Sequence, residues 1–193
     1  MKSLVQIGTN NGNDHVRDLC KKNSFNKIIL VEPFEIHNDK IKLNYANIDN
    51  FFIENVAITN DSDKIKKLYF SEMDGPSRNA ICSYQVTSII PSHIMKFYNK
   101  SVVSEIQVNS MRINELFLKH NLLEIEYLFL DAEGLDFEIL KDIDFDSFNI
   151  KNLQIEHLHI DKEKLNTFML SKGYTNTNTS LDYHGFDVMF KKV

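Results

Sequence analysis

Three groups of residues carry the side chains able to do chemistry. The first is "VQIGTNNGND" (5–14), in which Gly8 and Gly12 bracket Thr9, Asn10 and Asn11 just after a short apolar run. Glycines permit positive φ and let a ligand approach the backbone closely. The second is Glu32, followed by Pro33, which closes the run "KIILVEP" 24 residues after Gly8. A carboxylate placed there suits a ribose, because it accepts hydrogen bonds from both hydroxyls. The third is acidic: "LFLDAEGLDFEIL" sets Asp131, Glu133 and Asp136 around Gly134, and "QIEHLH" adds Glu156, His157 and His159.

Carboxylates gathered at one strand end raise each other's pKa unless a hydroxyl, a cation or a buried donor compensates. Asp131 and Glu133 are therefore site candidates. Asp131 also reads as a turn residue, and Asp136 as the N-cap of the following helix. His157 is a candidate general base for a hydroxyl, since imidazole titrates near working pH, and Glu156 would orient it. Strand alternation puts His157 and His159 on one face and Glu156 on the other; His159 reads more simply as a surface or packing residue. Such a set could bind Mg²⁺ or another divalent ion, but no H-x-x-x-H or D-x-D spacing supports one, so no metal ligand is assigned. Arg78, in "GPSRNAICS" (75–83), either faces a substrate or belongs to a plain connection. His93, His120 and His184 have no evident partner in the sequence.

For these groups to meet they need a common scaffold, and the order of apolar runs supplies one. "SLVQIG" (3–8), "KIILVEP" (27–33) and "FFIENVAI" (51–58) read as buried strands, with "DHVRDLCKK" (14–22) and "HNDKIKLNYAN" (37–47) as helices between them. That order predicts a parallel sheet with crossover helices, the first half of a doubly wound α/β fold. Later, "EYLFLDAEG" (126–134) and "NLQIEHLHI" (152–160) read as strands. "INELFLKHN" (113–121), "DFEILKDI" (136–143) and "KEKLNTFMLSKG" (162–173) read as helices, the last stopped at Gly173. The tail offers two strands suited to a closing hairpin. Residues from about 60 to 110 are less regular: "KLYFSEM" and "VVSEIQVN" read as strands of an inserted hairpin, with a loop over the sheet edge. One domain is expected over residues 1–193. In such folds ligands bind beyond the carboxyl ends of the strands, where the strand order reverses. The Gly8–Gly12 loop, Glu32 and the acidic group all fall on that side, and the loop leads into a helix whose N-terminus favours a negative group.

The bulk composition narrows the partners. A hydrophobic fraction of 42% with 25% charged residues is ordinary for a globular protein. A net charge of −5 argues against a broad nucleic-acid footprint, and no nucleic-acid partner is expected. The basic cluster "KIKK" (64–67) reads as a solvated face. Cys20 and Cys82 form no metal or redox spacing, which suits a reducing compartment. The chain opens in a strand-like segment, so no secretory signal is expected. No apolar run approaches the ~20 residues needed to span a bilayer. Cytoplasm is the expected location.

The identity of the nucleotide turns on the loop. A dinucleotide fold wants G-x-G-x-x-G, and the third glycine is missing; a P-loop wants G-K-[ST], also absent. The pattern Q-x-G-x-N-x-G with its downstream carboxylate looks instead like the methyltransferase form, which cradles the amino-acid end of S-adenosylmethionine. A tight strand-to-helix turn without a ligand is the competing reading.

With these residues in view, the chain resembles the FkbM family of S-adenosylmethionine-dependent methyltransferases, in the branch whose first motif reads roughly Q-I-G-A-N-D-G. The matching pieces occur in order: "VQIGTNNG", "LVEPF", "KLNYAN", "NVAI", "LFLDAEGLDFEIL", "LQIEHLH" and "KGY", from residue 4 to about 174. The D-x-E-G-x-[DE] element with its downstream I-E-H is the most specific. The resemblance implies a class I, Rossmann-like methyltransferase fold with a seven-stranded, mostly parallel sheet and an antiparallel last strand.

By the same resemblance, Gly8, Thr9, Asn10 and Gly12 would line the methionine part of the cofactor. Glu32, beside Pro33, would bind the ribose, and Asn55 and Ala57 in "ENVAI" would lie against the adenine. Asp131 counts both as a cofactor contact and, with Glu133, Glu156 and His157, as a catalytic candidate. Family members mostly methylate hydroxyls on sugars or secondary metabolites, so a small-molecule or glycan acceptor is implied. Thr9 and Asn11 depart from the usual alanine and aspartate. The chain is compact for the family, so acceptor recognition would rest on residues 70–110 or on a partner chain; oligomeric state is open. Two other readings stand beside this one: a binding module that keeps the fold without catalysis, and a nicotinamide-dependent enzyme, which the missing third glycine disfavours.

Overall fold

In the computed structural model, which describes residues 2–72, 86–181 and 185–193, the apolar runs condense into two sheets. Arg78 with its loop at 75–83, Cys82 and His184 lie outside the described residues. The first half runs β1 (Ser3–Ile7), α1 (His15–Lys22), β2 (Lys27–Val31), α2 (Asn38–Asn44), β3 (Phe51–Glu54) and β4 (Ala57–Thr59). Then come β5 (Ile65–Ser71), α3 (Pro91–Ile94), β6 (Val103–Arg112), α4 (Ile113–Lys119) and β7 (Glu124–Leu130). The chain closes with α5 (Asp136–Asp142), β8 (Asn149–Glu156), α6 (Lys162–Ser171), β9 (Tyr174–Asn176) and β10 (Asp187–Lys192).

The main sheet has seven strands in the order β3-β2-β1-β7-β8-β10-β9. The first five are parallel, while β10 runs antiparallel to both β8 and β9. The order reverses between β1 and β7, the position where this architecture opens a ligand crevice. All of β1 is buried, as the centre of a sheet covered on both faces requires. On one face Val5, Ile7, Val31, Leu130 and Ile155 pack against Leu116, Phe117, Ile139 and Leu140 of α4 and α5. On the other, Leu4, Leu30 and Phe129 meet Val16 and Cys20 of α1 and Ile41 of α2.

Two sequence expectations need correction. "FFIENVAI" is not one strand. The ladder to β2 ends where the Glu32 amide donates to the Glu54 carbonyl (3.0 Å). At Asn55 the side-chain amide, not the backbone, reaches the Glu32 carbonyl (2.9 Å), and it pairs reciprocally with the Asn38 side chain. The backbone is thus released to form β4 in a second sheet, ordered β4-β6-β5. The antiparallel β5/β6 pair forms between Ile65↔Asn109 and Ser71↔Val103; the parallel addition of β4 carries no signal in the sequence. Likewise β8 stops at Glu156, so the alternation that set His157 and His159 on one face does not extend that far. The Ile160 amide donating to the His157 carbonyl (3.1 Å) marks a turn instead.

The "KIKK" cluster is neutralised locally: Lys64 pairs with Glu115, Lys66 with Asp61 and Asp63, and Lys67 with Glu105. Among the described residues no helix is long and apolar enough to cross a membrane.

Candidate active site

The glycine loop springs from the switch point. The Gly8 and Thr9 amides both donate to the Val31 carbonyl (3.0 Å each), and the Asp131 amide donates to the Ile7 carbonyl (3.2 Å). Gly8, Asn10 and Gly12 adopt φ of 79°, 49° and 71°, conformations that glycine and asparagine tolerate best. A Cβ on Gly8 would lie 1.9 Å from the Asp131 carbonyl oxygen, and one on Gly12 would lie 3.1 Å from the Tyr45 ring. The space these glycines leave is thus filled by the chain itself. The start of α1 is also answered internally: Asp14 accepts from the Arg17 amide (3.0 Å) and from Gln6 Nε2 (2.7 Å). Asp14 is the negative group that the helix N-terminus favours.

Glu32 is 3% exposed. Its Oε2 accepts from the Asn10 amide (2.8 Å) and its Oε1 from the Phe34 amide (2.9 Å). Burial pushes its carboxyl up to about 7 against those two donors, with Glu133 adding to the rise. A carboxylate offers about four lone-pair sites, so two backbone donors do not exhaust it.

Beyond β7 the chain makes a strained turn, with Glu133 at φ 49° and Gly134 at φ 103°. Asp136 is the first residue of α5, yet its carboxylate reaches backward rather than capping that helix. It accepts from the Ala132 amide (2.5 Å) and the Gly134 amide (3.1 Å), clamping the turn. Burial raises its carboxyl to about 6 despite those bonds. Asp131 lines the cavity and is exposed to water there. Desolvation, then the carboxylates of Glu133, Asp136, Glu156 and Asp187, push its carboxyl well above the usual range. From the middle segment, His93 Nε2 lies 2.9 Å from Glu133 Oε2, and Ser88 Oγ donates to the Glu133 carbonyl (2.8 Å).

These pieces surround an open cavity. Gly8, Asn10, Glu32, Pro33, Ala57, Asp131 and Glu133 line it. Ile7, Val31, Val56, Ile58, Leu68 and Leu135 supply apolar wall. Thr9, 1% exposed, is packed behind the loop, and Gly12 and Asn55 also lie outside this cavity's walls. Glu156 lines a separate hollow with His159, beside α5 and α6. His157 borders neither space; its amide donates to the Phe186 carbonyl (2.8 Å). Ser88 and His93 are the residues that sequence reasoning missed, and His93 stands 40 positions from its partner, with no motif linking them. His120 likewise finds a partner in Glu54 (2.7 Å).

The site combines a buried carboxylate, Glu32, with apolar walls and the further carboxylates Asp131 and Glu133. Among the described residues no group of three His, Cys, Asp or Glu could hold a metal ion. The strand order and the antiparallel β10 give the chain the class I methyltransferase fold. The Methyltransferase FkbM domain matches residues 6–176, and the chain belongs to that family.

No curated protein matches the sequence significantly. Among solved structures, the chain is similar to the ribosomal protein L11 methylase of Lactobacillus delbrueckii subsp. bulgaricus. That match has 11% identity and a TM-score of 0.46, over 99% of this chain and 70% of that one. It is also similar to precorrin-6y C5,15-methyltransferase of Geobacter metallireducens GS-15, at 9% identity and a TM-score of 0.45, over 98% and 80% of the two chains.

Proposed function

We propose that this chain transfers a methyl group from S-adenosylmethionine to a hydroxyl oxygen on a sugar or small metabolite. When bound, S-adenosylmethionine supplies a methyl group activated on a sulfonium sulfur. Gly8, Thr9, Asn10 and Gly12 would hold its methionine end, Glu32 and Pro33 its ribose, and Asn55 and Ala57 its adenine, with Asp131 near the reacting end. Thr9, Gly12 and Asn55 would act by shaping the loop and strand end rather than by lining the cavity.

One observation carries the reading: Glu32, Asp131 and Glu133 share a single apolar-walled cavity over the glycine loop. Transfer to a hydroxyl needs orientation and a base to take its proton. A carboxylate raised toward neutrality suits that task better than one of ordinary acidity, which favours Asp131; Glu133 is the second candidate because it lines the same cavity, unlike Glu156 and His157.

The test is incubation with methyl-labelled S-adenosylmethionine and host extract, followed by identification of the labelled product. A labelled methyl ether is the expected result. Label on nitrogen or carbon would overturn O-methylation. An unchanged melting temperature in millimolar S-adenosylhomocysteine would overturn cofactor binding, because saturation at 100 times Kd stabilises by about 2.7 kcal/mol.

A further inference from the structure

We infer that His93 is a positioning residue: its Nε2–H donates to Glu133 Oε2 and so presents Glu133 Oε1 to the methyl acceptor. The inference rests on the methyl-transfer reading above.

The backbone around Glu133 is already held. Its backbone carbonyl accepts from Ser88 Oγ (2.8 Å), and the amides on either side of it, those of Ala132 and Gly134, are bound by the Asp136 carboxylate. Its φ of 49° is one that a glutamate rarely adopts, and strained turns of this kind cluster at functional sites. His93 engages Oε2, while Oε1 has no hydrogen bond among the described residues, and Glu133 lines the cavity. One oxygen is therefore offered to whatever enters.

The turn is also shaped around the imidazole. A Cβ on Gly134 would come within 2.8 Å of His93 Nδ1, so a residue with a side chain there would push the ring away. His93 is 3% exposed, and α3 is seated through Ile94, packed with Val86 and Tyr98. The His93 ring also packs 5.5 Å from Phe97 of that apolar group. Beyond that packing, its Nε2 meets a carboxylate that lines the cavity.

The proton count is simple. The acceptor hydroxyl gives its proton to Glu133 Oε1, and the O–H electron pair stays on the acceptor oxygen, which then bonds to the methyl carbon as the carbon–sulfur bond of the donor breaks. Glu133 becomes a neutral acid whose Oε2 still accepts from His93 Nε2–H. His93 keeps its own proton throughout. The His159 ring lies edge-on to His93 at 5.1 Å. Burial, then Lys96 and His93, hold His159 below the usual imidazole range, against the opposing pull of Glu133.

Three measurements test the inference. Long-range ¹H–¹⁵N NMR of the imidazoles at pH 7.5 should show His93 with a proton on Nε2. A bare Nε2, as in the Nδ1–H tautomer, would overturn the inference whether or not an acceptor is known. Calorimetry should give His93→Phe the wild-type affinity for S-adenosylhomocysteine within about twofold, whereas a large loss would make His93 a support of the whole cavity. With the acceptor identified by the labelled-donor experiment, His93→Phe should lower kcat about 10- to 100-fold at little-changed KM. His93→Gln, whose amide can donate near the Nε2 position, should recover most of that loss and controls for folding. Full turnover in His93→Phe, or no recovery in His93→Gln, would overturn the inference. If no acceptor takes label, the methyl-transfer reading fails, and the tautomer still decides the His93–Glu133 contact.

Discussion

The position that a Cβ of Gly8 would occupy lies 1.9 Å from the backbone carbonyl oxygen of Asp131. The first glycine of the loop and the first carboxylate of the acidic turn thus belong to one contact, across the switch point between β1 and β7. The approach that makes Gly8 obligatory also brings Asp131 to the loop that lines the same cavity.

Gly8→Ala should be severely destabilising, because a backbone carbonyl cannot swing aside and φ is 79°. We expect a loss of at least about 3 kcal/mol, or roughly 6–12 °C in Tm. Gly173→Ala is the control: its φ is 81° but nothing lies within 4 Å, so it should lose only about 1 kcal/mol. Thermal denaturation of the two variants side by side checks both numbers.

Thr9→Val should stabilise the ligand-free protein. Thr9 Oγ1 is buried with no hydrogen-bond partner among the described residues, and valine keeps its shape without the desolvated hydroxyl. The gain should be about 1–2 kcal/mol, measured by denaturant unfolding.

Stability should fall as pH rises from about 4.5 to about 7. Burial raises the Glu32 carboxyl from its ordinary 4.5 to about 7, so the folded chain binds that proton more tightly than the unfolded chain does. Its contribution is complete below the unfolded value, is lost as pH climbs through the folded value, and is flat above it. Glu32 alone is worth roughly 2–4 kcal/mol at about 1.4 kcal/mol per pH unit. Asp136, raised to about 6, and Asp131 add with the same sign. Calorimetry of Glu32→Gln between pH 5 and 7.5 should show a visibly flatter dependence, with the remaining slope due to the two aspartates.

S-adenosylmethionine, whose sulfonium is cationic, should gain on neutral-thioether S-adenosylhomocysteine as pH rises from 6 to 8. A cation in this cavity favours the ionised carboxylates, so it binds better once they have lost their protons. The ratio of the two dissociation constants, measured by titration calorimetry, should move several-fold over that range. A ratio independent of pH would mean that the raised carboxyls do not face the sulfonium.

Much of the scaffold was legible before folding. The β1, β2, β7 and β8 runs announce themselves because a strand buried on both faces must be almost continuously apolar. The closing pair β9 and β10 was legible as two short strands of the tail, which pair antiparallel. The break inside "FFIENVAI" was not, since it depends on Asn55 bonding the Glu32 carbonyl and Asn38, partners 23 and 17 positions away. The end of β8 was missed because "QIEHLH" keeps an alternating pattern past Glu156, where the ladder to β10 stops.

The sequence by itself determined the residue types that matter: two glycines where φ must be positive, a carboxylate at the end of β2, and three more after β7. These are local facts, set by what a backbone conformation or a strand end permits. Only the tertiary structure decided which of them meet. It drew Glu32, Asp131 and Glu133 into one cavity, turned Asp136 back as a clamp, sent Glu156 to another hollow, and brought His93 and Ser88 from the middle segment onto Glu133. The reason is distance along the chain: contacts across tens of residues are made by packing sheet against helix, and no short stretch encodes them.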